Sequence, residues 1–320
     1  MIGLDIGGTK CAVSVGYEDA EGLHVVERRQ IPTDHDATPA EIIKQLCDMA
    51  REMTDDLSAV GISCGGPLNS RTGYILSPPN LPGWDEVPAV ELVREYLGSQ
   101  AVFLQNDANA CALAEWRYGA GRGTENMVFL TFGSGMGAGL ILNGKLYDGT
   151  TGMAGEVGHM RMSEWGPVGY GKSGSFEGFC SGNGVAALGR MLAQEELQCG
   201  RAVSYCQTMA DLPAVTAKSI AEAAKAGHED ARRVFALCAE KLGAGLAVLM
   251  DILNPECIVI GSVFARSEEL LREPMEAVIA QEALFHTRTA CKVVPAALGD
   301  SIGDYAALSC AAYAQKECMQ

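Results

Sequence analysis

Twice the chain runs a buried strand into a glycine-rich bend and out into a second strand. "IGLDIGGTKCAVSVG" does so at residues 2–16, and "MVFLTFGSGMGAGLILNG" does so at 127–144. Set against each other, Ile2, Leu4, Gly7 and Gly8 fall opposite Val128, Leu130, Gly133 and Ser134, and Asp5 falls opposite Thr131. Such self-similarity points to two halves of like architecture. Other segments follow helical or strand periods. Ile42, Ile43, Leu46, Met49 and Met53 mark one face of a helix over 39–54. "LSAVGISCGGP" (57–67) reads as a buried strand, "SPPNLPGW" (77–84) as a loop, 88–97 as a helix, "AVFLQND" (101–107) as a strand and 108–118 as a helix. A glycine-rich stretch follows at 149–184. Beyond it the pattern predicts helices over 184–197, 216–226, 229–252 and 266–282, strands over 256–262 and 291–296, and a closing helix over 303–316. Strands alternating with helices predict an α/β fold with a largely parallel central sheet and some hairpins. No low-complexity tract or long linker divides the 320 residues, so two domains are expected to meet closely across a cleft.

Charge narrows the function classes. The formal net charge is −16, whereas nucleic-acid and anionic-membrane surfaces need clustered Lys and Arg. A small anionic ligand stays possible, because a nest of backbone N–H groups can hold one. The 12 cysteines contain no C-x-x-C pair. They lie mostly in apolar runs, as at Cys47, Cys111, Cys238 and Cys310, and read as reduced, buried thiols of a cytoplasmic protein. The first strand is expected to begin at Met1, so no signal peptide is expected, and no apolar run is long enough to cross a membrane.

Several residue groups have the chemistry of a site. In the first bend, Gly7 and Gly8 bring backbone N–H groups close to a ligand, while Thr9 and Lys10 add a hydroxyl and a positive charge. Asp5 would repel phosphate but suits Mg²⁺ or its waters; alternatively the segment is a plain hairpin in which Asp5 caps nearby N–H groups. The second bend, Thr131 to Gly139, resembles G-x-G-x-x-A, yet it leads into a strand and not a helix, which argues against a dinucleotide site. Asn106-Asp107 ends a strand and begins a helix. Asp107 is either an N-cap or an ionised carboxylate poised as a general base. Glu156 and His159 in "AGEVGHM", with Glu177 in "GSFEGF", suit hydrogen bonding to sugar hydroxyls, or else form a polar surface loop.

Taken together, these segments resemble the ROK family of sugar kinases and repressors. "LDIGGTK", "GISCGGP", "NDANACALAEWRYGAG", "TFGSGMGAG", "AGEVGH" with "GSFEGFCSG", and "NPECIVIGS" occur in the family's order over nearly the whole chain. The resemblance implies an actin-like (hexokinase/ribonuclease H-like) two-domain ATPase fold with an interdomain cleft. We place the first domain at 1–107 plus 303–320 and the second at 108–302. It further implies ATP-dependent phosphorylation of a free hexose at the 6-hydroxyl, with Asp107 as general base. Asn80, Asn106, Asp107, Glu156, His159 and Glu177 are expected on the sugar. Asp5, Gly7, Gly8, Thr9, Lys10, Thr131, Gly133, Ser134, Gly135, Gly137 and Gly261 are expected on ATP, with Mg²⁺ near Asp5. Glucose ranks first as acceptor and N-acetylmannosamine close behind; a non-catalytic sugar sensor is the alternative of another class. A homodimer or homotetramer is the expected assembly.

The chain departs from the family's pattern at three places. The family's zinc site uses the histidine of the Glu-x-Gly-His motif and three cysteines. The corresponding positions here hold Val168, Tyr170 and Ser175, so no zinc is expected, and the loop is expected to be held by packing of Trp165, Tyr170 and Phe176. The adenosine-side Gly-Gly is Gly261-Ser262. The family's repressors carry a helix-turn-helix domain that this acidic chain is expected to lack, so DNA binding is not expected.

Overall fold

The computed structural model describes residues 1–318, with side chains through Gln315. In chain order the elements are β1 (Ile2–Ile6), β2 (Lys10–Glu18), β3 (Leu23–Pro32), α1 (Pro39–Met53), β4 (Ala59–Cys64), β5 (Leu68–Asn69), β6 (Tyr74–Ile75), α2 (Ala89–Leu97), β7 (Ala101–Asn106), α3 (Asp107–Tyr118), β8 (Met127–Leu130), β9 (Ala138–Leu142) and β10 (Lys145–Leu146). Then come β11 (Val168–Gly169), β12 (Lys172–Ser173), α4 (Phe176–Phe179), α5 (Gly182–Gln198), α6 (Ala217–Lys225), α7 (Glu229–Leu253), β13 (Cys257–Ile260), α8 (Val263–Arg266), α9 (Glu268–Glu282), α10 (Phe285–Ala290), β14 (Lys292–Pro295) and α11 (Ile302–Cys318). These divide into two compact units. One comprises Met1–Gly123, Gly139–Ala154 and the chain from Ala297 onward; the other comprises Thr124–Ala138 and Gly155–Ala296.

The first unit is built on a five-stranded sheet in the order β3-β2-β1-β4-β7. β1 pairs antiparallel with β2 and parallel with β4, and β4 pairs parallel with β7. Alternate residues of β1 and β4 (Ile2, Leu4 and Ile6; Val60, Ile62 and Cys64) enter a core closed by Ile42, Ile43, Leu46 and Cys47 of α1 and by Val90, Val93 and Leu97 of α2. α1 begins with a capping box. Thr38 Oγ1 accepts from Glu41 N at 3.3 Å, and Thr38 N donates to Glu41 Oε2 at 2.8 Å. The sheet's other side takes α11, with Leu308, Ala311 and Ala312 against Met1, Leu23 and Ala59. That approach requires glycine at Gly61, where a Cβ would lie 2.1 Å from Ala307 O. β3 has no counterpart in the sequence reading. It carries Glu27, Arg28 and Arg29 on an edge and buries little, so no apolar alternation marks it.

The closing helix packs against α3, and β7 runs directly into α3 at Asp107. The first unit therefore extends to Gly123 and takes in 139–154, where the sequence placed a boundary at 107/108. Glu115 on α3 anchors this region. Its side chain is fully buried and accepts from Ala120 N (2.8 Å), Ala297 N (3.2 Å) and Leu298 N (2.9 Å).

In the second unit β8, β13 and β14 run parallel, with Ile258 opposite both Val128 and Val293. Met127, Val128, Phe129 and Leu130 are buried along with Cys257, Ile258, Val259 and Ile260, the continuous apolar run expected of a strand covered on both faces. α7 supplies Phe235, Leu242 and Leu246 to the interior. The described cysteines are free thiols, with Cys47, Cys238 and Cys310 buried and Cys111 half-buried. Among the described residues no helix is long and apolar enough to cross a membrane.

Candidate active site

The bend between β1 and β2 is tied internally. Gly7 N donates to Lys10 O at 3.1 Å. Thr33, just past β3, locks it from outside: Thr33 Oγ1 donates to Gly7 O at 2.6 Å, and Thr33 N donates to Thr9 O at 3.1 Å. Thr33 was not legible as a site residue, because it lies 26 positions from Gly7. Gly8 sits against the loop carrying Asn80, and a Cβ there would fall 2.2 Å from Asn80 O. Close approach between the two loops, not unusual dihedrals, is what requires Gly8. Thr9, Lys10 and Asn80 are exposed.

Asp5 and Asp107 come together at the ends of β1 and β7. Burial pushes the Asp5 carboxyl up to about 6, helped by the negative charges of Asp107 and Asp304 and opposed by Arg28 and Lys10. Asp304, in the first turn of α11, accepts from Ser14 Oγ at 2.6 Å and from Arg28 Nε at 2.8 Å. Sequence reasoning missed it, since nothing in the chain pattern joins position 304 to position 5.

The cap of α3 is the neighbour of Asp107. Asn106 caps α3, its Oδ1 accepting from Asn109 N at 2.7 Å. Asp107 is therefore the first helical residue and not the cap. Its Oδ1 accepts from Ala108 N at 2.8 Å. The residue is exposed, yet the surrounding protein atoms desolvate its carboxyl and raise its pKa above the ordinary carboxylate value, against the lowering by the Ala108 N–H. A carboxylate open to a ligand, with its proton affinity raised and its helix already capped, can take a proton from a hydroxyl.

In the second unit, Thr131 closes the other bend. Thr131 N donates to Gly137 O at 3.0 Å, and Gly137 N donates to Thr131 Oγ1 at 3.0 Å. Gly133 N donates to Gly135 O at 3.0 Å, and the start of α5 holds the bend through Gly182 N to Gly133 O at 2.7 Å. Ser134 is exposed, and its carbonyl accepts from Asn183 N at 3.4 Å. Gly261 N donates to Leu130 O at 2.9 Å, which sets the end of β13 beside the bend.

Glu156 and His159 bracket a one-turn 3₁₀ helix over Val157–His159, with His159 N donating to Glu156 O at 3.2 Å. Glu156 precedes the turn and His159 ends it; both residues are exposed. Glu177, in the first turn of α4, also grips the glycine-rich bend, its Oε2 accepting from Met136 N at 3.0 Å. This link between the sugar signature and the second bend was not legible in the sequence.

The loop between His159 and Glu177 corrects one expectation. Trp165 and Tyr170 are 81% and 72% exposed; of the three only Phe176 is buried, against Gly245 of α7. The loop is held instead by hydrogen bonds. Phe176 N donates to Met160 O (2.8 Å), Met162 N to Gly174 O (2.8 Å) and Ser173 Oγ to Gly166 O (3.0 Å). The residues at the family's zinc positions do not fit that metal. Val168 has no donor atom, the Tyr170 ring points to solvent, and Ser175 Oγ already caps α4 through Gly178 N at 3.1 Å. Among the described residues no group of three or more His, Cys, Asp or Glu side chains is arranged to hold a metal ion.

Mixed α/β units with glycine-rich bends after β1 and β8 define an actin-like ATPase fold. The chain belongs to the ROK family, which its residues 1–314 match. It is 30% identical over 311 residues to a glucokinase of Halalkalibacterium halodurans, covering 94% of this chain and 92% of that one. It is also 30% identical over 282 residues to an N-acetylmannosamine kinase of Salmonella typhi, covering 88% of each. Among solved structures it is similar to a ROK family glucokinase from Streptomyces griseus in complex with glucose and AMPPNP, with a TM-score of 0.76, 29% identity and 99% of each chain covered.

Proposed function

We propose that the protein is an ATP-dependent kinase of a free hexose, with glucose as the preferred acceptor and the 6-hydroxyl as the phosphorylated position. The observation that carries this reading lies at the end of β7: Asn106 caps α3, so the Asp107 carboxyl is not spent on the cap, which supports it as the general base. Asp107 takes the proton of the attacking hydroxyl. Glu156, His159 and Glu177 accept and donate hydrogen bonds to the ring hydroxyls, joined by Asn80 and by the Asn106 amide group. Gly7, Gly8, Thr9 and Lys10 on the first bend hold ATP phosphates, as do Thr131, Gly133, Ser134, Gly135 and Gly137 on the second, with Gly261 toward the nucleoside. Asp5 fits Mg²⁺ or its waters, because a carboxyl burdened by burial and by two neighbouring carboxylates gains from a divalent cation, which when bound neutralises charge on the phosphates.

An acetamido-sugar kinase is the second reading, favoured by the identity to the N-acetylmannosamine kinase and by the altered loop beside His159. A coupled ADP-release assay with MgATP against free hexoses and N-acetylhexosamines separates the two. Glucose turning over far above the rest supports the first reading, and N-acetylmannosamine leading supports the second. Measurable sugar binding without turnover of any sugar contradicts both and points to a sensor.

A further inference from the structure

Between His159 and Glu177 the chain leaves the site as a hairpin and returns. Its two ends are joined by Phe176 N to Met160 O, and an isolated antiparallel bridge pairs Arg161 with Ser175. The two-residue turn Tyr170-Gly171 between β11 and β12 has positive φ at both positions, 42° and 74°, the geometry that matches the twist of a tight hairpin. This turn aims the next residue, Lys172, back at the site. Lys172 Nζ donates to His159 O at 2.6 Å. That carbonyl ends the one-turn helix whose other end is Glu156, so the ammonium meets the negative end of the turn. Arg161 Nη1 donates to Ser173 O at 3.1 Å beside it, which fixes the hairpin strand from which Lys172 reaches.

We propose that Lys172 is a positioning residue for the sugar site. Its charge-assisted hydrogen bond to His159 O sets the orientation of the turn that Glu156 precedes and His159 ends, and a lysine does here by hydrogen bonding what these residues cannot do by ligating zinc. The inference rests on the functional reading above in taking those two residues as sugar contacts. Lys172 touches no substrate in this scheme, so its loss acts on the acceptor side alone.

The test compares wild type, Lys172→Met and Lys172→Arg by steady-state kinetics and by amide hydrogen–deuterium exchange over residues 156–162. Loss of one charge-assisted hydrogen bond is expected to raise the sugar KM of Lys172→Met by at least about fivefold, with the ATP KM unchanged. Exchange over 156–162 is expected to be faster, and Lys172→Arg is expected to restore most of both. Activity is expected to survive treatment with a zinc chelator followed by added Mg²⁺. A sugar KM for Lys172→Met within about twofold of wild type overturns the proposal, as does an equal rise in both KM values. If wild type turns over no sugar, the functional reading falls separately. Exchange then decides Lys172 by itself: unchanged protection in Lys172→Met overturns its hold on His159, and faster exchange rescued by Lys172→Arg supports it.

Discussion

Asp5→Asn should make the protein more stable and less active. The Asp5 carboxyl titrates at about 6 in the folded chain, against an ordinary value of 3.8. The folded state therefore keeps this proton to higher pH than the unfolded state does. As pH rises from about 4 to about 6, the unfolded chain ionises more readily, so this group lowers stability across that window and its full penalty persists above it. Ionising a carboxyl against such a shift costs about 3 kcal/mol. An amide of the same shape carries no charge beside Asp107 and Asp304, and so is relieved of that penalty. Urea unfolding without nucleotide or added metal, at pH 4.5 and at pH 7.5, measures the effect. Asp5→Asn is expected to gain up to about 3 kcal/mol over wild type at pH 7.5 and about 1 kcal/mol at pH 4.5, while losing phosphoryl transfer. Equal or lower stability at pH 7.5, with the pH dependence of wild type retained, would refute the assignment of Asp5 as a desolvated, repelled carboxylate.

Other substitutions probe the supports of the site. Glu115→Gln replaces a fully buried carboxylate that accepts from three backbone N–H groups. It is expected to cost about 3 kcal/mol in denaturant unfolding, and a loss under about 1 kcal/mol would show that the anchor is dispensable. Gly8→Ala forces a Cβ to within 2.2 Å of Asn80 O. It is expected to cost about 1–3 kcal/mol and to raise the ATP KM, whereas an unchanged ATP KM would separate the first bend from nucleotide binding.

Most elements were legible because their patterns are local. α1, α2, α5, α7 and α11 show apolar faces or caps within a few residues, and β1, β4 and β13 are short apolar runs ending in glycine, as is β8 but for the two residues before Gly133. β3 was not, since an edge strand rich in Glu and Arg gives no period-two signal. At the site, the residue types were legible but their allegiances were not. Asp107 read equally as cap or base, and the sequence did not show that Asn106 holds the cap. Thr33, Asp304 and Lys172 act across 26, 290 and 13 positions of chain, on Gly7, Ser14 and His159 respectively, and no local pattern encodes such pairs. The aromatic residues of the 160–176 loop misled for a related reason. Trp165 and Tyr170 have the composition of a small core, but Tyr170 lies in the tight turn between β11 and β12, and both residues stay largely exposed.

The central claim is that Asp107 serves as the general base of sugar phosphorylation. Its most direct test is the rate of sugar-phosphate formation by Asp107→Asn beside wild type, at saturating MgATP and the best acceptor sugar, with sugar affinity measured on the same samples. The account predicts intact folding, retained sugar binding and a turnover lowered by at least about 100-fold. Turnover close to that of wild type would contradict it, and would leave Asp107 as no more than the first residue of α3.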